Sequence, residues 1–329
     1  MNVGMLIAGR LVGGIGCGQM LAVVPVYLAE VSPPKARGFI VGVQGFMVAL
    51  GFGVANWIGY AGSFAVGDAQ WRVPLGTQLP IPVVLMVCLL FMPYSPRWLA
   101  QQDRHEAARA VLSRLHKKES DDFVSQELIQ ITRQIQLERE QSNPSWAEAL
   151  VTMFSKRYAR RSFMAAFIVA MGQFSGSSVL QNFQSNFYAQ VGFTGKTSLL
   201  ISGVYGMMGI IGEFVYLGIV ADKWSRRLTL IIGSGVLAAM LIITMSMSAV
   251  YGVKGNENEA GARAAIAFIF IYSMCYATFF NSTIWVVPSE LFPFFLRAKG
   301  MAFAVFAKST AAIVLSQITP VALANVGWR

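Results

Sequence analysis

Three ionisable residues lie within long apolar runs of this sequence, and they are the first candidates for chemistry. Arg10 lies near the start of the first run, Glu213 lies nine residues before Asp222, and Lys308 lies eight residues after Gly300. At a rise of about 1.5 Å per residue, Glu213 and Lys308 would lie near the centre of a bilayer. A charge there costs at least about 2.5 to 3.5 kcal/mol, so such residues usually pair or function. They could form a structural ion pair with each other, or they could recognise a charged or hydroxyl-rich solute.

A polar stretch, GQFSGSSVLQNFQSN at residues 172–186, stands out from the apolar sequence around it. Four of its side chains follow spacings of four, four and three residues and so share one helical face: Gln173, Ser177, Gln181 and Gln184. In lipid these groups need partners, so their face is expected to line a cavity or to bond to other helices. Uncharged donors and acceptors suit a hydroxyl-rich solute, and Trp285 could supply an aromatic plane for an apolar face of that solute.

Two charged junctions in the sequence, PVYLAEVSPPKARG and WVVPSELFPFFLRAKG, have the same arrangement. In each, an acid closes an apolar run, a proline follows three residues later, and an arginine opens the next run. The acids are Glu30 and Glu290, which are 260 residues apart, and the arginines are Arg37 and Arg297. Such a duplication indicates two related halves, as in many secondary transporters.

The composition indicates that these residues belong to an integral membrane protein. Of the 329 residues, 55% are hydrophobic and only 13% are charged, and the mean hydropathy is +0.54. Eight apolar runs are long enough to cross a hydrocarbon core about 30 Å thick, and they lie near residues 5–29, 39–62, 74–93, 162–187, 198–220, 228–251, 264–288 and 300–324. The runs lack strict alternation and carry glycines at helix-packing spacing, so helices rather than strands are predicted.

The distribution of basic residues predicts how the chain is oriented. The net charge of +10 does not indicate a nucleic-acid-binding protein, because the basic residues lie in loops between the apolar runs. If both charged junctions face one side, the short loops on that side hold seven Lys and Arg, against five on the other side. The excess predicts that this side is cytoplasmic. The long loop 94–161 lies on the same side, and its pattern predicts amphipathic helices over 107–115 and 123–139.

No cofactor, no metal and no enzymatic activity are expected. His105 and His116 are eleven residues apart and lack metal-site spacing. The three cysteines, Cys17, Cys88 and Cys275, form no CxxC motif and no obvious disulfide set. The sequence also contains no nucleotide-binding loop and no arrangement of a nucleophile with a base.

Five segments in order resemble the signature segments of the sugar porter family of the major facilitator superfamily: GRLVGGIGCGQMLAVVPVYLAEVSPPKARG, WRVPLGTQLP, PYSPRWL, DKWSRR and PSELFPFFLRAKG. The resemblance implies an all-α integral membrane protein with twelve helices, of which the eight runs would be the fourth to the eleventh. The helical bundle is therefore expected to be incomplete, with 8 of 12 helices, and the fragment inactive alone. Residues 1–93 would form the N-terminal half with family helices 4–6, residues 94–161 a cytoplasmic helical linker, and residues 162–329 the C-terminal half with helices 7–11.

The resemblance also implies roles for individual residues. Gln173 and Trp285 match sugar-contact positions, whereas most other contact positions are changed, so the substrate need not be a hexose. The predicted substrate-binding residues are Gln173, Ser177, Ser178, Gln181, Asn182, Trp285 and Gln44. The residues predicted to form a cytoplasmic gate are Glu30, Arg37, Arg97, Asp222, Arg226, Arg227, Glu290 and Arg297. The intramembrane charges considered for coupling transport to protons are Arg10, Glu213 and Lys308. Arg10 either approaches a proton-carrying Asp of the family's first helix or extends to lipid headgroups.

Together these features predict a carrier for a sugar, polyol or sugar acid that works by alternating access, driven by the solute's own gradient or by protons. A nutrient sensor on the same fold, which binds but does not transport, is the alternative. The expected setting is a lipid bilayer, the plasma membrane, and the expected state is a monomer. No nucleic-acid partner is expected.

Overall fold

The architecture comes from a computed structural model, which describes residues 3–33, 37–116, 120–140, 146–190, 192–221, 223–251 and 259–325. All regular secondary structure in these ranges is helical. A helix satisfies its own backbone N–H and C=O groups, which a chain in hydrocarbon must do because water is absent. The apolar runs therefore fold as helices whatever their local propensities are.

Eight stretches of the described residues are long and apolar enough to cross a membrane, as predicted. They are Val3–Val31, Gly42–Gly62, Ala69–Leu89, Ala159–Ala189, Lys196–Val220, Arg226–Met247, Arg263–Leu291 and Leu296–Ala322. Each corresponds to one of the eight predicted runs. The largest shift is in the third span, which begins at Ala69, five residues earlier than predicted.

The helices are numbered α1 to α15 in chain order. In the first part of the chain they are α1 Val3–Val31, α2 Arg37–Gly62, α3 Ala69–Gly76, α4 Pro80–Leu89, α5 Pro96–Gln101, α6 His105–Leu115, α7 Asp121–Glu140 and α8 Trp146–Met153. In the second part they are α9 Ala159–Phe174, α10 Ser177–Gln190, α11 Lys196–Val215, α12 Arg226–Tyr251, α13 Glu259–Tyr276, α14 Thr283–Leu291 and α15 Phe294–Asn325. Two π-helical segments, Tyr216–Val220 and Ala277–Asn281, follow α11 and α13.

The described residues fall into two compact units, and the first takes its members from 1–41, 86–166 and 288–306. Its α5, α6 and α7 lie within the 94–161 loop, and they bury a small apolar core of Leu99, Ala100, Ala108 and Ile135. The predicted halves 1–93 and 162–329 follow chain order rather than this grouping, and they stay a prediction.

Within the first unit, the end of α1 is bonded to the turn before α5. The hydroxyl of Tyr27 donates to the carbonyl oxygen of Pro93 at 2.8 Å, and Ser95 Oγ donates to Glu30 Oε2 at 2.7 Å. Ser95 Oγ also accepts from the backbone N–H of Trp98 at 3.3 Å, so it caps the first turn of α5. One serine thus joins the charged end of α1 to the start of the loop helices.

The second unit takes its members from 42–85, 167–287 and 307–329. Its core includes Phe187, Tyr188, Tyr205, Ile266 and Ile269, which are contributed by α10, α11 and α13. The last two of these helices approach closely because small residues face each other, as is common between helices in membranes.

A close approach between two helices of the second unit is at Gly212 on α11. A Cβ added there would overlap the carbonyl oxygen of Met274 and lie 2.8 Å from Ala277 Cβ. The hydroxyl of Thr278 crosses the same contact and donates to the carbonyl oxygen of Gly212 at 3.0 Å. Glycine is therefore required at position 212 for α11 to pack against α13.

Candidate functional site

Glu213 lies at the centre of a buried hydrogen-bond network in the second unit. Its side chain projects from α11 next to Gly212 and is 0% exposed. Asn281 Nδ2 donates to Glu213 Oε1 at 2.6 Å, and Ser282 Oγ lies 2.8 Å from Glu213 Oε2. Both oxygens of the carboxyl group are thus held by neutral side chains.

The same two side chains reach the backbone of α2. Asn281 Nδ2 lies 3.1 Å from the carbonyl oxygen of Gly45, and Ser282 Oγ lies 3.2 Å from the carbonyl oxygen of Gly42. A Cβ at position 45 would overlap Ser282 Oγ and lie 3.0 Å from Ser282 Cα, so glycine allows α2 to come this near. The network therefore connects three spans at one point: α2, α11 and the span that contains α13 and α14.

Two π-helical segments border this network. Tyr216–Val220 begins three residues after Glu213, and Ala277–Asn281 ends with the asparagine that holds its carboxyl group. A π-helical turn inserts an extra residue and so changes the face on which later side chains lie, and such turns are frequent at functional sites. Here the second segment places Asn281 and Ser282 toward α11.

Lys308 and Glu213 have different partners in this structure. The ammonium group of Lys308, on α15, lies 4.8 Å from the ring centroid of Trp285 on α14, a cation–π contact. Among the residues that the structure describes, no ion pair includes Glu213 or Lys308. The alternative of a direct Glu213–Lys308 pair is thus not observed.

The predicted polar face is interrupted. The helix α9 ends at Phe174 and α10 begins at Ser177, with Gly176 between them at a φ of 95°, a conformation that favours glycine. One continuous helical face through Gln173 and Gln184 is therefore a wrong prediction, because periodicity alone does not reveal this break. A hydrogen bond from α13 stabilises this break: the hydroxyl of Tyr272 donates to the carbonyl oxygen of Ser175 at 2.9 Å.

The predicted substrate residues of this region differ in their environment. Ser178 Oγ donates to Gln173 Oε1, and Ser177 Oγ donates to the carbonyl oxygen of Gly172 at 3.1 Å. These three side chains are buried, whereas those of Gln181 and Asn182 are exposed. The structure thus brings part of the predicted set together near the break in the fourth span.

The other two predicted contacts are buried. Gln44 on α2 is next to Gly45, and its Oε1 has no hydrogen-bond partner among the described residues. Trp285 is only 3% exposed, and one face of its ring is occupied by Lys308. In this conformation Trp285 does not present an open plane, and its contact with a sugar ring stays a prediction.

A separate cavity of about 480 Å³ lies beside α9 and α12. Its walls are apolar apart from Ser175 and Ser234, and they include Phe174, Leu237 and Phe280. A hydroxyl-rich solute needs more polar partners than these walls offer. The buried amides and hydroxyls near Gln173 are the better candidate site.

The predicted gate residues that the structure describes lie at helix ends. Glu30 accepts from Ser95, Arg97 Nη1 donates to Gln134 Oε1 at 3.4 Å, and Arg226 Nη1 donates to the carbonyl oxygen of Ala221 at 2.6 Å. The remaining described members are Arg227 and Glu290, which are exposed, and Arg297, which is buried. The side chain of Arg37 and the whole of Asp222 lie outside the described residues, and Arg10 is exposed on α1. The gate role of this set stays a prediction.

Sequence reasoning missed Asn281 and Ser282 as partners of Glu213. The signal was present, because NST at 281–283 is a polar triplet within an apolar span and a carboxyl group in lipid requires donors. Among the described residues, no group of His, Cys, Asp and Glu is arranged to hold a metal ion.

Comparison with known proteins adds three findings. A family model described as "Sugar (and other) transporter" matches residues 1–329. The chain is 35% identical over 304 residues to the MFS-type transporter criB of Aspergillus cristatus, covering 92% of this chain and 64% of the relative. It is 29% identical over 342 residues to the high-affinity glucose transporter of Kluyveromyces lactis, covering 99% of this chain and 61% of the relative.

A solved structure is also similar. The proton:xylose symporter XylE, bound to 6-bromo-6-deoxy-D-glucose, matches with a TM-score of 0.77 at 23% identity, over 95% of this chain and 62% of that one. At this identity the likeness concerns the fold. The chain spans less than two thirds of the length of each of these three proteins.

Proposed function

Because this chain belongs to the family of sugar (and other) transporters, in the major facilitator superfamily, we propose that it carries a sugar or sugar-like solute across a membrane by alternating access. The family and the all-α fold are those predicted from the five segments, and the family consists of transporters rather than enzymes. The proposal rests mainly on the buried, uncharged polar groups within the membrane spans. In lipid such groups are costly unless they form hydrogen bonds, either within the protein or to a solute.

The proposed solute is a sugar, a polyol or a sugar acid. Gln173 is the principal contact: since Ser178 donates to its Oε1, its amide nitrogen can donate to a solute hydroxyl. The proposed neighbours of the solute are Ser177, Ser178, Gln181, Asn182, Gln44 and Trp285. Lys308, beside Trp285, supports a hydroxyl-rich or acidic solute, because an ammonium group donates to hydroxyl and carboxylate oxygens alike.

The test of this proposal is uptake by cells that lack their own hexose carriers. The protein is expressed there and offered a panel of labelled sugars, polyols and sugar acids. Saturable uptake of one class supports the carrier. Binding of a solute without any uptake would favour the nutrient-sensor alternative, and neither binding nor uptake of any of these classes would overturn the proposal.

Gln173→Ala is expected to weaken the uptake affinity for that solute about 5- to 10-fold, with expression intact. Loss of one buried hydrogen bond costs about 1 kcal/mol, and about 1.4 kcal/mol corresponds to tenfold. The matched control is Gln78→Ala, because Gln78 is exposed in the turn between α3 and α4. An unchanged affinity in Gln173→Ala would remove Gln173 from the proposed site.

The gate residues are proposed to hold the cytoplasmic mouth of the carrier closed. Interfacial ion pairs that exist only in the closed state would favour it by the few kcal/mol that separate the two states. Coupling to protons is a further part of the proposal, with the plasma membrane as the setting and a monomer as the working state.

Glu290→Gln is expected to open the cytoplasmic mouth and to slow turnover several-fold, because it removes the charge of one gate residue. The measurement is the labelling rate of a cysteine introduced at Ser32, a buried position after α1, with the native cysteines replaced. Glu106→Gln, which neutralises an exposed acid on α6, is the control. Equal labelling of both variants would contradict the gate role of Glu290.

A further inference from the structure

The buried carboxyl group of Glu213 belongs neither to the proposed substrate contacts nor to the gate, and its surroundings are unusual for a charged group. It lies within the fifth span, its side chain is 0% exposed, and its partners are an amide and a hydroxyl rather than a cation. A permanently ionised carboxylate in such a place usually pairs with a positive charge. The arrangement suits a group that gains and loses a proton.

Among the residues that the structure describes, the ionisable groups around Glu213 do not supply a compensating charge. From α13, Tyr276 interacts electrostatically with the carboxyl group, and its own hydroxyl donates to the carbonyl oxygen of Gly172 at 3.3 Å. The segment after α11 places Tyr216 beside Gly42 of α2, and α2 contributes backbone carbonyl oxygens. Lys308 lies against Trp285 instead. A change of charge in this network would therefore be a change at Glu213.

The hydrogen bonds around Glu213 can be satisfied in both protonation states. Ser282 Oγ lies between Glu213 Oε2, at 2.8 Å, and the carbonyl oxygen of Gly42, at 3.2 Å. When the carboxyl group is ionised, the Ser282 hydroxyl donates to Oε2. When it is protonated, the new O–H donates to Ser282 Oγ, and the Ser282 hydroxyl turns to donate to Gly42. Rotation of one hydroxyl thus accommodates the proton, since a hydroxyl both donates and accepts.

Asn281 keeps its bonds in either state. Its amide nitrogen carries two hydrogens, and two acceptors are present: Glu213 Oε1 at 2.6 Å and the carbonyl oxygen of Gly45 at 3.1 Å. An amide donor bonds to a carbonyl oxygen of a protonated acid as well as to a carboxylate. Asn281 therefore donates to Oε1 in both states, which leaves Oε2 as the oxygen that accepts the proton.

Two further buried oxygen atoms border this network in the sequence. Gln44 Oε1 is next to Gly45, and Thr283 Oγ1 is next to Ser282. Neither has a hydrogen-bond partner among the described residues, although unsatisfied buried acceptors are rare.

We propose that Glu213, Asn281 and Ser282 form a proton-binding site, in which the proton taken up by Glu213 Oε2 redirects the Ser282 hydroxyl from Glu213 to the backbone of α2. The proton comes from water and returns to it, and no other bond is made or broken. Proton uptake adds a hydrogen bond to α2, and proton release removes it. In a carrier of the kind proposed above, the site would make the packing of α2 depend on pH.

Infrared difference spectroscopy tests this site directly. The purified protein in lipid nanodiscs is titrated with acid, and the C=O stretch of protonated carboxyl groups is followed. Because the other Asp and Glu side chains also protonate as the pH falls, the Glu213 band is read from the difference between wild type and Glu213→Gln. Wild type is expected to show a band that Glu213→Gln lacks and that appears as the pH falls. Identical spectra for the two proteins, or a Glu213 band that stays constant with pH, would overturn the proposal.

Two further variants complete the test. Asp68→Asn removes an exposed carboxylate that pairs with Arg72 at 3.0 Å, and it is expected to keep the Glu213 band. Ser282→Ala is expected to keep the band but shift its frequency, because the protonated carboxyl group loses its acceptor. An unshifted band in Ser282→Ala would overturn the hydroxyl switch. These measurements need no solute, so failure of uptake would count against the carrier and not against the proton site.

Discussion

Gly212→Ala is expected to leave little folded protein in detergent extracts. The added methyl group would overlap the carbonyl oxygen of Met274 and lie 2.8 Å from Ala277 Cβ, so α11 and α13 would have to separate. Overpacking a core costs about 1 to 3 kcal/mol and sometimes more, and backbone atoms yield less than flexible side chains. We therefore expect a loss of about 3 kcal/mol in the free energy of unfolding, at the upper end of that range.

Gly209→Ala on the same helix is the matched control. A Cβ there would lie 3.7 Å from Ser273 Oγ, an ordinary contact, so its effect should be small. Both variants are heated in mild detergent, and the monodisperse fraction is measured by size-exclusion chromatography. Equal melting of Gly212→Ala and Gly209→Ala would show that α11 and α13 are not packed as closely as described.

Trp285→Ala is expected to be the most damaging change among the proposed substrate contacts. Truncating a buried tryptophan leaves a cavity and costs about 3 to 5 kcal/mol, and Trp285 is 3% exposed. The change also removes the ring over which the Lys308 ammonium lies at 4.8 Å, a contact that contributes about 2 kcal/mol when desolvated. Unfolding in detergent is the measurement, with Trp285→Phe as the conservative variant.

A double-mutant cycle with Lys308→Met separates these two contributions. If the cation–π contact stabilises the protein, Trp285→Ala should cost less in a Lys308→Met background than in wild type, by about 1 to 2 kcal/mol. The remaining cost would measure the cavity alone. Identical costs in both backgrounds would mean that Lys308 gains nothing from the ring.

Most of the fold could be predicted because hydrocarbon permits few alternatives. The eight predicted apolar runs correspond to eight spans, and the ends of the spans differ from the predicted ends by only a few residues. The runs form helices because a helix satisfies its own backbone hydrogen bonds in hydrocarbon. The helices α6 and α7 were predictable for a different reason. Their apolar residues recur at the helical period and bury a shared core with α5.

The site was less predictable because it depends on local departures from regular helices. Periodicity assumes about 3.6 residues per turn throughout, so it placed Gln173 and Gln184 on one face across the break at Gly176. The π-helical segment Ala277–Asn281 has no sequence signature of its own, and it decides which side chains meet Glu213. Sequence could identify Glu213 as costly in lipid but could not identify its partners.

The two bonds of Ser95 have a consequence for communication between the loop helices and α1. Because the same hydroxyl group begins α5 and holds Glu30, a shift of α5 would also displace the acidic end of α1. If the protein is the carrier proposed above, a protein that docks on α5, or a phosphate added to it, would act on the end of α1 without entering the membrane. The 94–161 loop would then serve as a regulatory input to that carrier.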